Sequence, residues 1–152
     1  YMRVGSKGRY AVIALIDVAR NSDIGPVPLA EVAERQKISL SYLEQLFAML
    51  RRSGLVISSR GPGGGYRLQK PSAEVSIGEV FRAVEETGNG QDREWPGMTG
   101  ITSSLWSALD DHIRDFLESV SVADVMAGKF ADLYPNASAV MANGLSAQAK
   151  LA

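Results

Sequence analysis

Cysteine is absent from this sequence, histidine occurs once, and no long apolar run is present. A chain without thiols forms no disulfide, no thiolate zinc site, no cysteine nucleophile and no all-cysteine iron–sulfur cluster. No stretch approaches the roughly 18 apolar residues that cross a bilayer, and Asp17 and Arg20 interrupt the first apolar segment, so we expect neither a membrane span nor a signal peptide. The missing cysteine also fits a reducing cytoplasm, the compartment that we expect.

Net charge is nearly absent as well, at −1 over 152 residues, but this total conceals two halves of opposite sign. Residues 1–70 contain 11 Lys and Arg against 5 Asp and Glu, a net charge of +6. Residues 71–152 contain 5 Lys and Arg against 12 Asp and Glu, a net charge of −7. A basic N-terminal half favours a polyanionic partner such as nucleic acid.

Signatures of catalysis are missing too. No serine stands in a nucleophile motif, and the glycine-rich stretch 61–65 leads into Tyr-Arg-Leu rather than into the Lys-Ser/Thr and helix of a phosphate-binding loop. His112 has Asp110, Asp111 and Asp115 as neighbours, a spacing more typical of helical salt bridges than of a metal site. We therefore predict no enzyme, no catalytic residues and no metal ligands.

Three helices are predicted in the first 52 residues, because apolar residues recur there at spacings of three and four. Pro28 is compatible with the first turn of the second helix, where a missing N–H costs nothing. Ser39 and Ser41 are alternative N-caps of the third helix, and Ser41 with Glu44 has the form of a capping box. The helices span 6–21, 28–36 and 40–52, and their apolar stripes comprise Tyr10, Ile13, Ala14 and Val18; Leu29, Val32 and Ala33; and Leu43, Leu46, Phe47 and Leu50.

A β-hairpin is predicted after the third helix. Residues 55–57 and 66–68 are typical of short strands, and 61–65 between them consists of four glycines and a proline, which no regular element tolerates. The order helix, helix, short turn, helix, hairpin is that of a winged helix-turn-helix. The predicted fold class is therefore mainly α with a small β-hairpin wing.

Beyond the hairpin, the sequence predicts a linker helix, a loop and a long helix. Ser76 and Glu79 form a capping box that starts the linker helix, whose apolar face is Ile77, Val80, Phe81 and Val84. Residues 87–101 contain four glycines and a proline and are predicted as a loop, and a broad apolar stripe marks a helix over about 103–119. We expect three units, a winged domain over 1–72, a linker-helix, loop and long-helix unit over 73–128, and a flexible tail over 129–152.

Candidate DNA contacts lie at the start of the third helix, in the hairpin and at the start of the first helix. A third helix in the major groove places its N-terminal residues nearest the bases, where Glu44 can accept a hydrogen bond from cytosine N4. A glycine-rich tip flanked by arginines suits a phosphate or a narrow minor groove, and the alternative for each residue is ordinary solvated surface. The candidates are Lys7, Arg9, Ser39, Ser41, Tyr42, Glu44, Gln45, Arg60, Gly63, Gly64 and Arg67.

Three segments, 7–12, 38–47 and 60–68, strongly resemble the iron–sulfur cluster regulators of the IscR type, in the Rrf-type family of bacterial repressors. The resemblance covers residues 2–127 and implies a winged-helix transcription factor in which the long helix pairs two chains as a homodimer. It also implies that Ser39, Tyr42, Glu44 and Arg60 contact DNA, with Glu44 discriminating between sites. The dimerisation residues that it implies are Leu105, Trp106, Leu109, Ile113, Phe116 and Leu117.

The chain departs from that family at the cluster ligands. Cluster-binding members carry three cysteines in the loop before the long helix and a histidine near its start, whereas here the last cysteine position is Gly100 and the histidine position is Ser103. We therefore predict no cofactor, with a metal or iron–sulfur cluster on non-cysteine ligands such as Asp92, Glu94 and His112 as the alternative. The predicted function is sequence-specific repression on palindromic double-stranded DNA; the alternative is a regulator gated by a protein partner or a small ligand.

Overall fold

The computed structural model describes residues 4–85 and 100–129 and contains helices and one antiparallel hairpin. Predictions for residues 87–99, including the ligand candidates Asp92 and Glu94, and for the tail from residue 130 onward lie outside the described residues. In chain order the described elements are α1 (Ser6–Asn21), α2 (Leu29–Gln36), α3 (Leu40–Arg52), β1 (Val56–Ser59), β2 (Gly65–Leu68), a 3₁₀ helix (Ser72–Glu74), α4 (Ile77–Glu85), α5 (Ser103–Ser119) and α6 (Val122–Ala127).

The four helices α1, α2, α3 and α4 share one hydrophobic core. The predicted stripe of α3 is confirmed, since all four of its large residues are fully buried. The predicted face of α4 is confirmed as well, and it shares this core although it lies beyond the domain boundary that we propose after residue 72. Val120 and Val122, on either side of the α5–α6 junction, close the core from the C-terminal side.

The predicted stripe of α1 is wrong in two of its four positions. Tyr10 and Ile13 are each 42% exposed. The buried face of α1 is formed by Gly8, Ala11, Ala14, Leu15, Asp17 and Val18. Gly8 of this face lies directly against the ring of Phe81 in α4, and its lack of a side chain allows the two helices to approach closely. Helical spacing therefore grouped the exposed Tyr10 and Ile13 with the buried Ala14 and Val18.

Two predicted helix starts also need correction. Pro28 is the N-cap of α2 with extended backbone angles, and does not lie within its first turn. At α3 the N-cap is Ser39, whose hydroxyl accepts a hydrogen bond from the amide of Tyr42, so the capping box of Ser41 and Glu44 is wrong. The capping box predicted for α4 is confirmed: the amide of Ser76 donates to the Glu79 carboxylate at 2.9 Å, and the amide of Glu79 donates to the Ser76 hydroxyl at 3.1 Å.

A nearly buried carboxylate ties α1 to α2. Asp17 is 5% exposed and accepts hydrogen bonds from Arg35 at 2.6 Å and from Gln36 at 2.8 Å. Burial alone raises the pKa of Asp17, but the hydrogen bonds and positive charge of Arg35, with help from Gln36 and Asn21, outweigh burial and hold it below its usual range. This ionised tie fixes α2, and hence the start of α3, relative to α1.

The C-terminal end of the long helix α5 is joined to the core. Glu118 accepts a hydrogen bond from Ser76 and forms an ion pair with Arg82 of α4. Two backbone hydrogen bonds of 2.8 Å, from Ile77 to Val120 and from Val122 to Val75, pair the chain entering α4 with the chain leaving α5. None of the described helices is long and apolar enough to cross a membrane.

Candidate nucleic-acid interface

The N-terminal end of α3 presents polar side chains on the side away from the core. Burial of Leu43, Leu46, Phe47 and Leu50 turns Ser41, Glu44 and Gln45 to the surface, where all three are exposed together with the N-cap Ser39. Within the described residues, the side chains of Glu44 and Gln45 have no hydrogen-bond partner. They are therefore free to meet donors and acceptors on base edges.

Tyr42 differs from its neighbours because it is half-buried. Its ring meets the ring of Tyr10 edge to face, with centroids 5.8 Å apart and planes at 87°. Such a pair restricts the ring of Tyr42 on the exposed surface of α3. The sequence assigned Tyr10 to the core of α1, so its place beside this surface was missed. The 42% exposure of Tyr10 has no local sequence signal.

The hairpin places its arginines around a tight glycine tip. β1 and β2 pair antiparallel, with Val56 opposite Leu68 and Ser59 opposite Gly65. Gly63 has a φ of +76°, and a Cβ on Gly64 would collide with the carbonyl oxygen of Ser59, so the tip requires glycine at both positions. Without side chains, the backbone of the tip is free to lie close to a phosphate or a groove floor.

The hairpin is also fixed in position relative to α3. Val27, in the linker between α1 and α2, exchanges two backbone hydrogen bonds of 2.8 Å with Tyr66 of β2. The ring of Tyr66 in turn packs against Phe47 of α3, with centroids 5.0 Å apart. These contacts hold the wing against α3, although no local pattern in the sequence predicts the bridge at Val27.

Cationic side chains surround this surface. Arg9, Arg60 and Arg67 are exposed and Lys7 is half-buried. Within the described residues, none of these four side chains is in an ion pair. Their charge is available to phosphates. Ring contacts from Tyr10 to Tyr42 and from Phe47 to Tyr66 join α3 to α1 and to β2, the elements that carry or flank these cations.

Much of the apolar face of α5 is exposed. None of its residues is buried, and the exposed fractions of Leu105, Trp106, Leu109 and Phe116 are 58%, 42%, 47% and 38%. Ile113 and Leu117 are half-buried. The residues predicted for dimerisation thus share one long helix, on which Leu117 packs against the core while Leu105, Trp106 and Leu109 are exposed.

A family model described as "Iron-dependent Transcriptional regulator", that of Rrf2, matches residues 4–128. The chain belongs to the Rrf2 family. It is 49% identical over 130 residues to the HTH-type transcriptional regulator IscR of Cronobacter sakazakii and to that of Escherichia coli, alignments that cover 82% of this chain and 80% of each relative.

Solved structures of other Rrf2-type regulators share its fold. The structure of T. potens IscR has a TM-score of 0.69 and 35% identity, and the alignment covers 84% of this chain and 88% of that one. The structure of CymR, the global cysteine regulator of B. subtilis, has a TM-score of 0.70 and 29% identity over 84% of this chain and 98% of that one. The predicted family and the winged-helix fold class are thereby confirmed.

The family description names iron, but the donors present in this Rrf2 protein do not fit an iron–sulfur cluster held by thiolates. The chain has no cysteine, and residues 4–85 and 100–129 contain no group of three or more His, Asp or Glu that could hold a metal ion. Gly100, which the resemblance assigns to the last cysteine position, has a φ of +92°, and its carbonyl accepts a hydrogen bond of 2.8 Å from the Ser103 hydroxyl. The two positions that the resemblance assigns to family ligands therefore offer a carbonyl and a hydroxyl, and neither offers a thiolate or an imidazole.

Proposed function

We propose that this Rrf2-family regulator binds palindromic operator DNA as a homodimer, with α3 in the major groove and the wing against a minor groove. The observation that carries the proposal is the rigid link from α3 through Tyr66 to Val27, which holds the polar end of α3 and the arginine-flanked tip in one arrangement. A fixed arrangement of helix and wing lets one protomer read a helix-turn-helix half-site.

The exposed apolar residues Leu105, Trp106 and Leu109 of α5 support the homodimer. These residues lie at helical spacing on a helix that has no buried residue, so two copies can bury their exposed apolar surfaces against each other. Two-fold symmetry then predicts a palindromic site with half-sites roughly 34 Å apart. The predicted cytoplasmic location, regulatory protein partner and small ligand remain predictions.

In this proposal the cations position the protein and Glu44 specifies the sequence. Lys7, Arg9 and Arg67 neutralise phosphates, so affinity falls as salt rises. Arg60 enters the minor groove beside the glycine tip, where the negative potential favours arginine. Ser39, Ser41, Tyr42 and Gln45 complete the major-groove contacts.

Fluorescence anisotropy with an operator of the IscR type and a scrambled duplex of equal length tests the proposal. Glu44→Ala should lower the preference for the operator roughly tenfold, while the matched loss of a carboxylate in Glu34→Ala on α2 leaves it unchanged. Equal binding of both duplexes at every salt concentration would refute sequence-specific binding.

A second pair of variants separates the wing from general charge. Arg60→Ala should weaken operator binding about tenfold and reduce the salt slope by about one. Arg52→Ala removes the same charge at the other end of α3, roughly 20 Å from its N-terminus, and should have the smaller effect. An equal loss in both variants would show that the wing contributes charge alone.

A further inference from the structure

The first turn of α1 has no side-chain cap from its own N-cap residue. The N-cap residue is Gly5, which has no side chain and therefore cannot cap the helix itself. Instead, the amide of Gly8 donates a hydrogen bond of 2.8 Å to Oε1 of Glu85. Glu85 is the last residue of α4 and lies 77 residues further along the chain. A carboxylate from the acidic half of the sequence thus caps a helix of the basic half.

Close packing holds this carboxylate in place. Gly8 is buried, and a Cβ added to it would overlap the ring of Phe81, one turn before Glu85 in α4. A Cβ added to Gly5 would lie 2.9 Å from Oε1 of Glu85. Glycine at both positions therefore lets α4 approach the first turn of α1 closely enough for Glu85 to reach its amides.

The cap fixes the backbone between two cations of the DNA-binding surface. Lys7 and Arg9 flank Gly8 directly, and the first four amides of a helix have no partner within the helix itself. A helix start without caps frays, whereas a carboxylate at this end satisfies an amide and opposes the positive end of the helix dipole. Ordering the first turn orders the direction in which Lys7 and Arg9 leave it.

We propose that Glu85 is a positioning residue for DNA binding, whose carboxylate caps α1 and holds Lys7 and Arg9 toward the phosphates. The inference rests on the proposed function, because it needs α1 to contact DNA. In this proposal the acidic side chain of Glu85 promotes binding to DNA, which is a polyanion. Simple electrostatics gives the opposite sign, since an acid near DNA repels phosphates and its removal strengthens binding.

Three variants show whether loss of Glu85 weakens or strengthens DNA binding, measured by anisotropy titration at several salt concentrations. Glu85→Ala removes charge and cap, and should weaken operator binding three- to tenfold and lower the salt slope by one to two, as phosphate contacts are lost. Glu85→Gln removes the charge but keeps an acceptor for the Gly8 amide, and should bind at least as tightly as the wild type. Glu74→Ala removes an exposed acid from the 3₁₀ helix and should not weaken binding.

Two further measurements distinguish positioning from a general loss of structure. Thermal melts identify a temperature at which every variant is folded, and the titrations are made there. In a Lys7→Ala/Arg9→Ala background, Glu85→Ala should have no further effect on affinity, because the residues that it positions are absent. An equal loss in that background would show that Glu85 acts through the fold and would overturn the proposal.

Each remaining outcome refutes either the positioning role of Glu85 or the proposed function. The positioning role is refuted if Glu85→Ala binds as tightly as the wild type with an unchanged salt slope. It is also refuted if Glu85→Ala binds more weakly and Glu85→Gln does not restore the affinity. A wild-type protein that does not prefer operator to scrambled duplex refutes the proposed function itself. The wild-type titration comes first, so the failures of the two proposals are told apart.

Discussion

The helices α3 and α5 are both amphipathic, but only α3 buries its apolar face within the described chain. Leu43, Leu46, Phe47 and Leu50 have no exposed surface, whereas Leu105 and Leu109 of α5 are 58% and 47% exposed. A periodic stripe in a sequence therefore identifies an apolar face but not whether its partner lies in the same chain. The difference separates residues that hold the protomer together from residues available for assembly.

The same substitution in the two helices tests this difference most strongly. Leu46→Ala should lower the free energy of unfolding by about 3 kcal/mol, because it leaves a cavity in a closed core. Leu109→Ala should cost less than about 0.5 kcal/mol in dilute protein, because its side chain is already half in water. Urea unfolding at protein concentrations a hundredfold apart measures both, and only the cost of Leu109→Ala should grow with concentration. Equal costs at the lower concentration would remove the distinction.

A charge on the face of α5 tests assembly directly. Leu109→Glu should shift the protein from dimer to monomer in sedimentation velocity and weaken binding to a palindromic operator at least thirtyfold, about 2 kcal/mol, since two half-sites no longer act together. The control Ser107→Glu adds the same charge two residues away, toward the opposite side of the helix. It should sediment and bind like the wild type, and a similar defect in both variants would place the interface elsewhere.

The ion pair of Asp17 with Arg35 also holds the protomer together, and its contribution to stability should depend on pH. Asp17→Asn should lower the free energy of unfolding by about 1.5 kcal/mol at pH 7 and leave sedimentation unchanged. Because the pKa of Asp17 is lowered in the folded protein, its ionised form stabilises above the unfolded pKa of about 3.9, and this stabilisation is lost as pH falls through the folded pKa.

Urea titrations of wild type and Asp17→Asn between pH 7 and pH 3 therefore have a defined outcome. The gap between the two proteins should stay constant down to about pH 5 and narrow below about pH 4. A gap that widens in acid would mean that Asp17 is not held ionised by Arg35.

The smallest expected effect lies at the start of α3. Ser39→Ala should cost about 0.5 kcal/mol, because the N-cap hydroxyl accepts from the amide of Tyr42 at 3.4 Å, near the limit for such a bond. Ser41→Ala should cost less, since Ser41 lies inside the helix and caps nothing. Thermal melts of both variants give the order, and the reverse order would restore the capping box first expected of Ser41 and Glu44.

Much of the fold could be predicted because its signals are local. The stripe of α3, the glycine tip and the capping box of Ser76 and Glu79 each depend on residues a few positions apart. The exposed polar residues of α3 follow from the same periodicity, since they occupy the positions that its buried stripe leaves. DNA contact by these residues stays a prediction.

The features that escaped prediction depend on distant partners. The buried side of α1 follows from how closely Gly8 can approach Phe81, and the cap from Glu85 joins residues 77 positions apart. The bridge of Val27 to Tyr66 uses backbone atoms alone, so no side-chain pattern marks it. Tyr10 was misplaced because helical spacing grouped it with Ala14 and Val18, whereas Phe81 of α4 packs over Gly8 instead.

The bridge at Val27 divides the seven-residue linker 22–28 into parts with different tolerance for changes in length. Ile24 is fully exposed, and a Cβ on Gly25 would touch nothing, so residues inserted near them disturb no packing. An insertion after Val27 would instead change the position of α2 relative to the bridge. Pro28, the N-cap residue of α2, directly follows Val27. Relatives and engineered versions of this regulator should therefore vary in length before Gly25 and keep a fixed spacing from Val27 to α2.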